Sequence, residues 1–260
     1  MCKTVVAVFC LVLCGNLFAV TPQEQAKIIE AVPKTAKAAP KKPRKLLVFN
    51  LSEGKYYHTA IPYGAAMLEA MQAQTGAFET VVSEDMNMFN ASKLAQFNAV
   101  CFNNSSHLKF KNAQHRENLI EFVRNGGGFV GIHAASVNFA DWPQGAEMLG
   151  GRFENHPWIS DGTWSLKVEE PDHILNSAFK GNSRFVLSDE LYQLAAQPFS
   201  RQKVRVLLSI DMNDQRNHKI DKKLVHRTDS DFPISWVRNF GKGRVFYCGM
   251  GHNHHLYWTP

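Results

Sequence analysis

Cysteine is scarce where it could matter. Of five in 260 residues, Cys2, Cys10 and Cys14 crowd the first fourteen positions, leaving Cys101 and Cys248 inside apolar runs. Two cysteines make no disulfide framework, and both settings suit small core residues better than nucleophiles. No Cys-x-x-Cys or His-x-x-x-His pair occurs, so local spacing alone defines no metal site. The absence of a Gly-x-Ser-x-Gly elbow argues against serine hydrolysis. No Gly-x-Gly-x-x-Gly follows the first strand, so no nucleotide cofactor is expected.

An excess of one charge is missing from the body of the chain as well. The net charge of +6 comes from residues 1–45, which hold eight of the 29 basic and two of the 23 acidic residues. The remainder carries 21 of each sign, too even to steer a polyanion, so no nucleic acid partner is expected. Lys3 followed by the apolar run Val5–Phe18 reads as a secretory leader ending at Ala19, giving an expected signal peptide over residues 1–19 and an exported product. That run is too short for a membrane span. Cys14 raises a lipid-anchored alternative, which the bulky Leu13 before it disfavours. Residues 20–44, rich in Ala, Pro and Lys, read as a flexible, solvated linker. The folded domain is expected from 45 to 260.

Within that domain strands and helices alternate. Lys45–Asn50, Phe78–Val82, Asn98–Phe102 and Phe129–His133 read as strands, and Ile61–Gln74 and Asn112–Asn125 as helices. Short links between them predict an α/β fold with a doubly wound, mainly parallel sheet. Thr163–Val168, Val204–Ile210 and a hairpin over Ile234–Cys248, turning at Gly241–Gly243, add antiparallel strands.

Polar residues gather just beyond the predicted strand ends, where open α/β sheets bind ligands. The stretch GGGFVGIHAA (126–135) ends a strand on His133 between small residues, an arrangement expected to leave room for a substrate. The alternative is a core histidine hydrogen-bonded in place. Tyr57 and His58 follow the first strand, Asn103 ends the third, and His252 follows the last. His156 lies in a proline-stiffened loop, and Asp189 and Glu190 precede Tyr192. His58, His133, His156, Glu190 and His252 are the nitrogen and carboxylate donors that zinc or another divalent metal prefers. A metal-free, hydrogen-bonded sugar pocket stands as the alternative. His107, His115, His173, His218 and His226 are expected at the surface.

Tyr57-His58, GGGFVGIHAA, Asp141-Trp142-Pro143, GGRFENHPW (150–158), DELY (189–192), FPISW (232–236) and GKGRVFYCGMGH (241–252) together resemble the trehalose-utilisation, or ThuA-like, family. The resemblance runs from about Lys45 to Tyr257. It implies a flavodoxin-like sheet similar to class I glutamine amidotransferases, with His133 at or beside the lost nucleophile's elbow and no glutaminase activity. It further implies a role in carbohydrate metabolism and allows bound zinc. Asp231-Phe232-Pro233 stands where the family usually carries Asp-His-Pro, and relatives tend to continue past the position of Pro260. The expected function is chemistry on a sugar or keto-sugar, as isomerisation or glycoside cleavage. His133, His156 and Glu190 are the expected catalytic groups, with His133, His156, Glu190 and His252 as metal ligands. His58, Tyr57, Asn103, Trp158, Asp189, Tyr192 and Trp236 are the expected substrate contacts. A non-catalytic carbohydrate-binding protein is the alternative function, and the oligomeric state stays open.

Overall fold

The computed structural model describes residues 19–259. Cys2, Cys10, Cys14 and nearly all of the expected leader lie outside the described residues. The chain runs through α1 (Pro22–Ala31), β1 (Lys45–Phe49), α2 (Ile61–Thr75), β2 (Glu79–Ser83), α3 (Ala91–Leu94) and β3 (Ala99–Asn103). It continues through α4 (Ala113–Arg124), β4 (Gly128–Ile132), α5 (Pro143–Leu149), β5 (Phe153–Trp158) and β6 (Trp164–Val168). The remaining elements are β7 (Arg184–Leu187), β8 (Leu191–Leu194), β9 (Arg205–Ile210), β10 (Pro233–Phe240) and β11 (Gly243–Cys248).

Nine strands form one sheet in the order β2-β1-β3-β4-β11-β10-β9-β6-β7, and β5 pairs with β8 separately. The first five are parallel neighbours, a flavodoxin-like order. The last four join by antiparallel pairing. Because the parallel strands are buried on both faces, their side chains divide between two cores. Leu47, Phe49, Val100, Phe102 and Phe129 pack towards α4 and α5, whereas Val48, Cys101 and Ile132 pack with Leu68 of α2. Burial pushes the Cys101 thiol up to about 12 and Cys248 up to about 11, so neither supplies a thiolate at neutral pH. The β10–β11 turn passes so close to the end of α4 that a Cβ on Gly241, itself at φ +58°, would lie 2.5 Å from the Arg124 carbonyl oxygen.

The segment expected to be a flexible linker is not uniformly so. Thr21 and Glu24 form a capping box with Pro22 in the first turn, which starts α1. Ile28 is fully buried against Ala60, Tyr63, Ala66, Ala70 and Tyr257. Two apolar residues one turn apart, Ile28 and Val32, suffice to dock a short helix but leave too faint a period to read through the surrounding lysines and prolines. Among the described residues, no helix is long and apolar enough to cross a membrane.

Trp236, expected to touch substrate, is fully buried on β10 with its indole N–H donating to the Leu149 carbonyl at 2.8 Å. Trp158 is equally buried and donates to the Asn217 carbonyl at 3.0 Å. Both are core residues, and neither offers a face to a ligand. Trp236→Ala is expected to cost about 3–5 kcal/mol in urea denaturation. A stability change below about 1 kcal/mol would contradict this core assignment.

Candidate active site

The carboxyl ends of β1, β4 and β11 deliver three histidines to one place. His133 follows β4 directly at φ +44°, a left-handed conformation at a sharp strand-to-helix turn, and starts the 3-10 segment His133–Phe139. Its carbonyl accepts from the Tyr247 hydroxyl at 2.8 Å, which pins the turn. The flanking small residues leave no room for substrate. Ala134 and Ala135 are fully buried, and a Cβ on Gly131 would lie 3.0 Å from the Tyr247 ring. They are small because the turn packs tightly.

His133 Nδ1 lies 2.8 Å from the Gly249 carbonyl oxygen. A carbonyl can only accept, so Nδ1 carries the proton, and in the neutral ring the inward-facing Nε2 is left with a lone pair. That Nε2 is buried without a hydrogen-bond partner and sits 3.5 Å from Glu190 Oε1. His252 Nδ1, also buried and unpartnered, lies 3.5 Å from the same oxygen. His58 Nδ1 is unpartnered too, while its Nε2 faces the Tyr192 hydroxyl at 3.4 Å. One potential ligand atom from each of His58, His133, Glu190 and His252 lies within 4.8 Å of all the others.

The electrostatics keep His58, His252 and Glu190 in ligating form. Burial, reinforced by the charges of His133 and His252, lowers His58 to about 3. Burial and the His133 charge also hold His252 below the ordinary histidine range. Burial alone would raise Glu190, but the facing imidazoles of His133, His252 and His156 outweigh it and hold the carboxyl below its usual range. Burial, then Glu190, raises Tyr192 well above an ordinary phenol, so it remains protonated.

Bare nitrogens facing a carboxylate repel one another unless a cation stands between them. Bonds of about 2.0–2.2 Å at tetrahedral angles place ligand atoms roughly 3.3–3.6 Å apart, a range that includes both 3.5 Å separations here. These two separations and the donor types suit a divalent ion.

Asp189 and Glu190 occupy the crossing from β7 to β8 and do different jobs. Asp189, expected to bind substrate, is fully buried and accepts backbone N–H groups of Gly251 and Asn253 at 2.8 Å each and of His252 at 3.4 Å. It positions the loop that bears His252. Asn103 is likewise withdrawn from any ligand, donating to Asn50 Oδ1 at 2.9 Å and the Ile61 carbonyl at 2.8 Å. His156, expected as a metal ligand, stands outside the quartet. Its half-exposed ring holds Nδ1 3.3 Å from Glu190 Oε2. His58, expected to touch substrate, joins the quartet instead. The Tyr192 ring lies tilted 33° against the His133 ring with centroids 4.2 Å apart, and Tyr57 is half-exposed. His115, expected at the surface, is buried with Nε2 3.0 Å from Asn90 Oδ1. Tyr247 and Gly249, which orient His133, were not anticipated, because a hydrophobic strand residue and a backbone carbonyl carry no chemical signature in sequence. Beside the quartet, His252, Thr59, Asn253, His254, His255 and Trp258 line an open depression of about 550 Å³.

A family model described as trehalose utilisation, ThuA, matches residues 45–260. The chain belongs to the ThuA family. A ThuA-like protein of Bacteroides uniformis is 26% identical over 85% of each chain, with a TM-score of 0.67. A ThuA-like protein of Parabacteroides merdae is 18% identical over 81% of this chain and 80% of its own, at 0.57. A cytoplasmic protein of Salmonella typhimurium is 14% identical over 79% of this chain and 86% of its own, at 0.51. The last two likenesses show the fold alone. No match was found among curated proteins. ThuA membership agrees with the sheet order and with a carbohydrate-related role.

Two outcomes follow from this geometry. Asp189→Ala orphans backbone N–H groups of the Gly249–Asn253 loop and is expected to cost about 1–3 kcal/mol. Denaturation together with faster amide exchange at Gly251 and Asn253 measures it, and unchanged exchange refutes it. His58 binds its proton near pH 3 when folded and near 6.5 when unfolded. Between those values the unfolded chain carries the extra proton, so His58's contribution is complete above about 6.5 and is lost as pH falls. Metal-free protein should therefore lose more stability between pH 7.5 and 4.5 than the His58→Asn variant, and parallel losses would contradict this.

Proposed function

We propose that this ThuA family member is a metal-assisted enzyme that removes the acidic proton beside the carbonyl of a keto-sugar. The observation that carries the reading is the pair of buried, unpartnered nitrogens on His133 and His252, each 3.5 Å from one Glu190 oxygen. His58, His133, Glu190 and His252 would hold a divalent ion, of which zinc suits the nitrogen-rich set best. When bound, the ion supplies Lewis acidity that polarises a carbonyl and acidifies the adjacent C–H.

The protein's own proton carrier is His156. A neutral His156 that donates Nδ1–H to Glu190 Oε2 keeps a lone pair on Nε2, and half of its ring is open to solvent. Nε2 takes the proton from the carbon beside the carbonyl, and the Glu190 carboxylate stabilises the imidazolium that results. Return of that proton to the former carbonyl carbon, as the adjacent hydroxyl's proton passes to the former carbonyl oxygen, completes an isomerisation. Delivery to the glycosidic oxygen, as the C–H electrons form a C=C bond and the C–O bond breaks, completes an elimination. The open depression beside His252 gives a sugar access from one side. The expected leader at residues 1–19 would place this chemistry outside the cytoplasm.

Elemental analysis of the purified protein and a turnover assay on a 3-keto-glycoside test the proposal. One divalent metal per chain and chelator-sensitive turnover are expected. His133→Ala should lose both metal and turnover, whereas His156→Ala should keep the metal and lose about 10²–10⁴-fold in kcat. Sugar affinity with no turnover and no metal would establish a carbohydrate-binding protein instead. Full turnover by His133→Ala would discard the mechanism.

A further inference from the structure

Neither ligand-bearing loop is held only by the family-matched domain. We infer that α1, which precedes the residues matched by the ThuA family model, is a strap that positions the loops carrying His58 and His252. The inference rests on the proposed ligand role of those two histidines.

Three contacts support it. First, Ile28 of α1 is buried in a cluster with both Ala60, two residues beyond His58, and Tyr257, five beyond His252. Tyr257 carries that packing inward, since its hydroxyl donates to the Gly251 carbonyl at 2.9 Å, immediately before His252. Second, a polar chain runs from α1 to the residue beside His58. The Tyr63 hydroxyl donates to Glu24 at 3.0 Å, the Tyr63 ring stacks on His254 at 4.1 Å, and His254 Nε2 lies 2.7 Å from Thr59 Oγ1. The Thr59–His254 contact joins the two loops directly, and Tyr63 and Glu24 clamp it from outside. Third, the Lys27 ammonium lies 5.4 Å over the Trp258 ring, which pins the end of the same 3-10 turn, His254–Trp258.

The histidines of the quartet sit after strand ends, where backbone freedom is greatest and a displacement of an ångström changes metal affinity. Asp189 fixes the His252 loop from the β7–β8 side. Among the described residues, α1 packs on the opposite end of that loop and on the His58 loop together. Its contribution is geometric, so Glu24, Ile28 and His254 are positioning residues.

The test compares three full-length proteins: wild type, Ile28→Asp, which undocks α1 by placing a charge in its apolar contact, and Leu166→Ala. Leu166 is fully buried in the β6–β9 core and serves as a destabilised control away from the site. Zinc is titrated calorimetrically into each metal-free protein, and amide exchange is followed over residues 50–60 and 249–259. Ile28→Asp should bind zinc at least tenfold more weakly and exchange at least tenfold faster in both loops, while Leu166→Ala changes neither. His254→Phe, which retains the ring stack but loses the Thr59 contact, should reproduce part of the exchange effect. Wild-type exchange in Ile28→Asp overturns the strap, as does an equal loss in Leu166→Ala. If the wild type binds no zinc, the ligand role fails, and the exchange comparison still decides whether α1 positions the loops.

Discussion

The arrangement depends on a single hydrogen bond, from His133 Nδ1 to the Gly249 carbonyl. It ties the carboxyl end of β4 to that of its parallel neighbour β11. It also determines which nitrogen of His133 is protonated, and so turns a lone pair towards Glu190. The left-handed backbone at His133 and the Tyr247 hydroxyl on its carbonyl serve the same orientation. In the opposite tautomer Nδ1 would turn a lone pair on the Gly249 carbonyl and lose that bond.

The two halves of the sheet contribute differently. The parallel half supplies the histidines, because its strand ends converge on one edge. The antiparallel half supplies the carboxylate, at the point where the chain leaves the large sheet at β7 and enters the two-stranded one at β8. That crossing turns Asp189 into the interior to bind backbone N–H groups and leaves Glu190 between His133, His252 and His156. One carboxylate oxygen faces the cluster, and the other faces the solvent-side histidine. Adjacent residues of the same chemistry thus divide into one that holds backbone N–H groups and one that faces the histidines.

Much of this was legible from the residues. The strand–helix alternation and the polar residues of the strand ends and loops identified the edge of the sheet and the five donors that meet there or beside it. The tryptophans misled, since an indole is as good a core residue as a sugar platform, and only packing distinguishes the two uses. The small residues around His133 misled for a related reason: glycine and alanine mark close approach, which a substrate or a neighbouring tyrosine can equally provide. The exchange of positions between His58 and His156 was beyond sequence, because only the folded chain turns the His58 ring inward and leaves the His156 ring half-exposed.

By itself the sequence determined the parallel sheet, membership of a sugar-related family and the supply of nitrogen and oxygen donors. These follow from hydrophobic period, strand-end position and motif, all of which are local. Tertiary structure alone decided that His58 completes the quartet, that Asp189 is scaffold and that α1 belongs to the fold. Each of those depends on contacts between residues far apart in the chain, where burial and the direction of a lone pair are set by neighbours that no local pattern encodes.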